Sequence, residues 1–183
     1  QIRNSGFELK AFSSADNPES WNTLSDLKAR DADKYAIYAW DNVVKHTGER
    51  SVRIKKVSDN DSAGWVQIIP CSGTGKRYEI SAWSKTEGIS NNVYPPRGAN
   101  ISVIFINRGK MVVIYQTPSI QDSAGWRYES EVIIEPEDCT EMVVSLNLNC
   151  KGTTWWDDVS ISELPLPNPS ELLEITDKEL DQY

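Results

Sequence analysis

Between about residue 33 and residue 163, apolar and polar side chains alternate with a period of two, the signature of strands with one buried face. The alternation predicts strands at Tyr35–Trp40, Arg50–Val57, Gly64–Pro70, Arg77–Lys85, Asn100–Asn107, Met111–Gln116, Trp126–Ile134, Thr140–Asn149 and Thr154–Glu163. Turn chemistry separates them: His46-Thr47-Gly48-Glu49, Ser72-Gly73-Thr74-Gly75, Asn107-Arg108-Gly109-Lys110 and Lys151-Gly152. The Asn-Arg-Gly-Lys turn joins two strongly β-forming runs and reads as a hairpin. No stretch before residue 169 carries a helical period, so the expected architecture is an all-β sandwich or barrel.

The tail differs in kind. Leu164-Pro165-Leu166-Pro167-Asn168-Pro169 lacks three ladder donors and predicts an extended linker, and Ser170 is placed to cap a short helix after it. The expected organisation is one domain over residues 1–163 and an appended Pro-rich segment over 164–183, leading to a neighbouring domain of a longer protein. Gln1 in place of an initiator Met, with no leader after it, fits a mature or excised fragment.

Parity sorts the faces of each strand. In Arg77–Lys85, Tyr78, Ile80 and Ala82 share one face, and Glu79, Ser81, Trp83 and Lys85 the other. In Thr140–Asn149, Met142, Val144, Leu146 and Leu148 point to the core, with Val143, Ser145, Asn147 and Asn149 opposite. Asn100–Asn107 and Met111–Gln116 are apolar on both sides until Gln116. A second face that carries Trp, Asn, Gln and Ser rather than Lys and Glu reads as the floor of a groove. In the last strand, Val159 and Ile161 belong to the core, and unbroken parity puts Asp157 with them, pointing inward.

Composition narrows the function. The chain has 183 residues, with 19 Lys and Arg against 27 Asp and Glu, a net charge of -8 and a pI near 4.7. Phosphate backbones and anionic membranes require a basic face, so they are poor partners for an acidic protein unless its charge is locally segregated. No apolar run reaches the roughly 18–20 residues of a membrane span. His46 is the single histidine, which thins out triads, Cys-His dyads and His-ligated catalytic zinc. The three cysteines, Cys71, Cys139 and Cys150, show no Cys-x-x-Cys spacing and so no zinc signature. Cys139 and Cys150 end one strand about 30 Å long and do not reach each other. Free thiols are expected, a bridge from Cys71 being the alternative.

Seven Trp and seven Tyr against three Phe is an excess of amphipathic rings. Sugars are recognised by that mixture, because their C–H faces stack on indole and phenol while their hydroxyls take amide, Arg and Asp partners. Trp83, Gln116 and Asn147 are therefore candidate ligand contacts, against plain sheet-edge cover and loop satisfaction. Tyr94 and Arg97, in the loop Glu87 to Gly98, either line one end of a groove or pack the loop down. An inward Asp157 needs a partner. Glu8 lies near the other chain end, and first and last strands of a sandwich often pair. Two such acids with nearby carbonyls suit Ca²⁺; an Arg or backbone partner for each is the other reading.

Those segments carry a resemblance. Asn4-Ser5-Gly6-Phe7-Glu8, Pro18-Glu19-Ser20-Trp21, Gly48-Glu49-Arg50-Ser51-Val52, Gly64-Trp65-Val66-Gln67, Tyr78-Glu79-Ile80-Ser81-Ala82-Trp83-Ser84-Lys85, Gly125-Trp126-Arg127 and Trp156-Asp157-Asp158-Val159-Ser160-Ile161 follow one another in the order of a known pattern. It resembles the carbohydrate-binding modules of families 4, 9, 16 and 22, nearest to family 16, across residues 1–163. The resemblance implies a galactose-binding-like β-jelly roll. It implies a noncatalytic module, secreted or at the cell surface, that holds a polysaccharide near a covalently linked glycoside hydrolase or lyase. It also implies a structural Ca²⁺ held by Glu8 and Asp157 with backbone oxygens near Lys10 and Ser51. Trp21 and Trp126 match stacking aromatics, although both motifs also recur as core anchors. The expected ligand is a neutral β-linked glucan or mannan. The long charged segment between Trp21 and Gly48, and the loop Glu87 to Gly98, depart from the pattern. Two other readings are a calcium-stiffened spacer without glycan ligand, and a jelly-roll glycosidase or lyase using Glu79, Glu129 and Glu131 as outward carboxylates.

Overall fold

The computed structural model describes residues 1–12, 17–27, 36–59, 61–90 and 97–165. They form ten strands: β1 (Asn22–Thr23), β2 (Ala36–Asp41), β3 (Ser51–Lys56), β4 (Ala63–Pro70), β5 (Arg77–Glu87), β6 (Ala99–Asn107), β7 (Lys110–Gln116), β8 (Ala124–Ile134), β9 (Glu141–Leu148) and β10 (Gly152–Leu164). Two antiparallel five-stranded sheets result, in the orders β1-β4-β9-β6-β7 and β2-β3-β10-β5-β8. The architecture is an all-β sandwich, one of the two forms the alternation predicts, and a jelly roll, as the resemblance implies. The nine expected strands are β2 to β10, and only the two-residue β1 is additional. The Asn-Arg-Gly-Lys hairpin closes with Arg108 and Gly109 both at positive φ.

The core lies between the sheets because the alternate residues of both sheets meet there. Trp65, Trp156, Phe7, Phe105, Ile54, Ile80, Ile101, Leu146 and Leu148 are fully buried. Each contributes roughly 1.5–3 kcal/mol of transfer free energy. Gly98 is where two chain segments press together: a Cβ there would lie 1.9 Å from the Ile120 carbonyl oxygen. Ala99 and Ile120 exchange both main-chain hydrogen bonds at that crossing, at 3.1 and 2.8 Å.

Two features differ from the sequence expectation. The segment carrying Glu8 is not a ladder strand; it is a set of turns with Asn4 and Phe7 at positive φ, anchored through Val159 N–H to Ser5 O and Trp40 Nε1 to Phe7 O. The second concerns β10. Asp157 pairs with Trp83 and Ser160 with Ser81, so two residues of β10 face the single Ala82 of β5. This β-bulge, with Asp158 at φ 49, breaks the parity. Trp156, Val159 and Ile161 therefore share the core side, while Trp155 and Asp157 lie on the outer side. Asp157 is not turned into the core.

Candidate functional site

The outer face of the β2-β3-β10-β5-β8 sheet carries a chain of aromatic rings. Trp83 of β5 pairs across the ladder with Tyr128 of β8, which puts both rings on one face, with centroids 5.7 Å apart. His46 lies flat on Trp83, 4.0 Å away and 15° from parallel, and reaches Trp126 at 5.5 Å. Trp126 occupies a second bulge: between the pairs Ser84–Arg127 and Thr86–Ala124, two residues of β8 oppose Lys85. An ion pair from Arg127 to Asp122, at 2.9 Å, ties the start of β8. Tyr128 is 51% exposed, Trp83 and Trp126 are half-buried, and the row Trp126–His46–Trp83–Tyr128 presents ring surface next to Lys85 and Ser130.

The loop that supplies His46 is held by acids. Asp41 Oδ1 accepts the N–H groups of Val43 and Val44, and its Oδ2 accepts Trp155 Nε1. Asp157, fully buried, accepts His46 N–H at 2.8 Å and Thr47 N–H at 3.2 Å on Oδ2, and Asp158 N–H at 2.8 Å on Oδ1. Burial pushes its carboxyl up to about 6, against the pull of these N–H bonds. Asp158 meets His46 Nδ1 at 2.7 Å and accepts from Thr47 Oγ1 at 2.6 Å. Glu8, exposed, accepts Glu49 N–H and Arg50 N–H on one oxygen. Gly48, at φ 58, leaves room for that oxygen, which would lie 2.1 Å from a Cβ. Glu8 and Asp157 thus grip one loop, each through backbone donors. Both are hard oxygen donors of the type calcium takes. Ser51, at the end of the loop, donates its hydroxyl to Val44 O at 2.5 Å, and Lys10 forms a backbone bridge with Pro18.

The amide candidates lie on the other side of the molecule. Gly64 and Asn100 flank Asn147 in the register of the β1-β4-β9-β6-β7 sheet, and Ser102 pairs with Gln116. Asn147 donates to Asn100 Oδ1 and Ser102 Oγ and accepts from Ser145 Oγ, so its amide is already engaged. Gln116 is exposed at the end of β7, and that face continues into exposed Ile68, Val112 and Ile114. Rings and amides expected to share one groove are therefore on opposite faces of the sandwich.

Other expected residues are placed differently. Trp21 is 2% exposed, packed against Phe7 at 5.1 Å, with Nε1 bonded to Asn4 O; it offers no face to a sugar and is a core anchor. Arg97 donates to Asp59 O, while Tyr94 lies outside the described residues. Glu129 and Glu131 pair with Ala82 and Ile80 on the core side of β8, whereas Glu79 pairs with Val132 on the outer side. That register corrects the outward placement of Glu129 and Glu131 and separates them from Glu79. Tyr128 and His46 were not among the expected contacts. Parity from Trp126 along its strand points to Tyr128; the stacking of His46 on Trp83 depends on the bulge and has no local signal.

No family model and no curated protein matches the chain. Solved structures do. A tailspike domain of bacteriophage CBA120 superposes with TM-score 0.62 at 14% identity, over 89% of this chain but 21% of that one. The module TmCBM61, in complex with β-1,4-galactotriose, matches with TM-score 0.53 at 15% identity, over 89% of this chain and 97% of its own. A Stig cyclase from Fischerella sp. TAU, in complex with an indole derivative, matches with TM-score 0.59 at 12% identity, over 91% and 98%. Carbohydrate-binding modules of families 4, 16 and 22 share the fold as well. The chain has the β-sandwich of the carbohydrate-binding modules, a scaffold that cyclases also use.

Proposed function

We propose that this chain is a noncatalytic carbohydrate-binding module, which holds a neutral β-linked glucan or mannan on the ring row Trp126–His46–Trp83–Tyr128. That row is the observation that carries the reading: His46 covers one face of Trp83, while exposed Tyr128 and half-buried Trp126 leave ring surface at the outer face on which the C–H face of a sugar can stack. The spacer reading requires every aromatic to be buried, and Tyr128 at 51% exposure counts against it. Affinity of a shallow wet site is on the order of 10–100 µM. In the full-length protein the module would work outside the cell beside a glycoside hydrolase or lyase. Calcium belongs to the same proposal. Glu8 and Asp157 would hold it with main-chain oxygens near Lys10 and Ser51, tying the N-terminal turns to β10 and the His46 loop.

Affinity electrophoresis through gels containing glucomannan, β-glucan, xylan, galactan or alginate tests the proposal. Trp126→Ala and Tyr128→Ala should each weaken retardation about tenfold, ~1.4 kcal/mol, while Gln116→Ala on the opposite face leaves it unchanged. Retardation lost in Gln116→Ala but kept in both ring variants would move the site to the other sheet.

A further inference from the structure

Three chain segments far from the ring row bring two thiols and a carboxylate together at the opposite end of the molecule. Cys71 directly follows β4 and donates its N–H to Thr140 O at 3.0 Å; Cys139 precedes β9; Glu135 directly follows β8, with its N–H on Lys76 O at 2.8 Å. The two Sγ atoms and a Glu135 oxygen all lie within 4.8 Å of one another. Glu135 is 1% exposed and Cys139 is buried, and Cys71 and Glu135 line a pocket of about 270 Å³ together with Ser72 and Tyr78.

We propose that Cys71, Glu135 and Cys139 form a three-ligand site for a thiophilic divalent cation of the zinc class, with a fourth position open toward this pocket. Geometry supports the choice of ion. A tetrahedral centre with a metal–sulfur bond of about 2.3 Å and a metal–oxygen bond of about 2.0 Å sets its sulfur and oxygen roughly 3.5 Å apart. Cys139 Sγ lies 3.5 Å from Glu135 Oε1. The ligands are also supported from behind. Ser72 N–H and Gly73 N–H donate to Oε1, and the hydroxyls of Ser72 and Tyr78 donate to Oε2. Such contacts fix a metal-binding carboxylate in one orientation. Gly73, at φ 67, brings its turn against the backbone of Cys139, where a Cβ would stand 3.3 Å from the Cys139 carbonyl.

Without metal, protons hold the cluster: Cys139 donates its thiol hydrogen to Glu135, and Cys71 and Cys139 are hydrogen-bonded to each other. Burial and the nearby carboxylate push both thiols above their ordinary range. A cation replaces the two thiol protons: M²⁺ plus two S–H gives two metal–thiolate bonds and two released protons. Calcium, which takes oxygen ligands, is not expected here.

The test uses the whole chain, reduced with a phosphine and freed of metal, then titrated with cobalt(II) followed by zinc(II). One cobalt per chain should give a thiolate charge-transfer band that zinc removes. Native mass spectrometry should show the mass of one zinc less two hydrogens. Cys71→Ser and Cys139→Ser should each lose the band, and Cys150→Ser, also at a buried thiol, should keep it. Ser72→Ala should weaken zinc binding on the order of 10-fold. A band of equal strength in Cys139→Ser, or no band in a protein whose circular dichroism is native, would overturn the proposal. So would a Cys71–Cys139 disulfide that forms in air despite equimolar zinc.

Discussion

Replacing Asp157 by Asn isolates what its buried charge does to stability. Burial pushes the wild-type carboxyl up to about 6 in the fold, against 3.8 for an unperturbed aspartate. The folded state therefore binds more protons than the unfolded state between those values, and stability falls as pH rises through this window. Above about 6 the full cost is present, ~3 kcal/mol from the separation of the two values. Asn has the shape of the neutral acid, so it avoids this cost. It keeps one oxygen for the His46 and Thr47 N–H groups and sets an NH₂ against Asp158 N–H. That mismatched contact costs about 1 kcal/mol. The first effect wins: with a chelator at pH 7.5, Asp157→Asn should be more stable by about 2 kcal/mol, or ~4–8 °C in Tm. At pH 4 the gain should vanish or reverse. Thermal unfolding followed by circular dichroism at the two pH values, with chelator, makes the comparison. A variant less stable than wild type at both pH values would refute the reasoning, because the N–H bonds would then outweigh burial. Adding calcium should reverse the order at pH 7.5, raising wild-type Tm and leaving the variant unmoved, if Glu8 and Asp157 hold the ion as proposed.

Trp21→Ala should cost ~3–5 kcal/mol in denaturant unfolding, with polysaccharide retardation of the remaining folded protein unchanged, since the ring packs on Phe7. Gly98→Ala should lower stability by more than the ~1–3 kcal/mol of ordinary overpacking, because its Cβ would meet backbone rather than a movable side chain. Gly64→Ala, with a Cβ 2.7 Å from both Asn147 Oδ1 and Ser145 Oγ, should disturb the amide network and lower Tm without affecting ligand on the ring face.

Period-two patterning made β2 to β10 legible because each strand has one face buried against the other sheet, so hydrophobicity had to alternate. It failed where a strand gains a residue. Asp157 reads as inward only if β10 is regular, and the pairing of Asp157 with Trp83 and Ser160 with Ser81 shows that it is not. The ring row was half legible: parity shows Trp83 as an outward ring and the resemblance offers Trp126 as either platform or core anchor, but His46 comes from a loop whose path is set by Asp41, Asp157 and Asp158. Trp21 had the right residue type in the wrong environment, and no local pattern separates a core indole from an exposed one. Spacing gave no sign of a metal site among the cysteines, because Cys71 and Cys139 are 68 positions apart and meet through the pairing of β4 with β9.

The bulge in β10 is also a detachable part. Without Asp158, the ladder could run from the Asp157–Trp83 pair to Val159 opposite Ala82 and Ser160 opposite Ser81, with no side chain changing faces. A deletion elsewhere in the strand would turn one half inside out; this one would remove the Asp158 contacts to His46 Nδ1 and Thr47 Oγ1 and leave Asp157 on the two backbone N–H groups. One codon thus separates a sandwich whose His46 ring is fixed by a carboxylate from the same sandwich with the loop held by its backbone alone and the ring free to turn, a step open to evolution or to an engineer without rethreading the sheet.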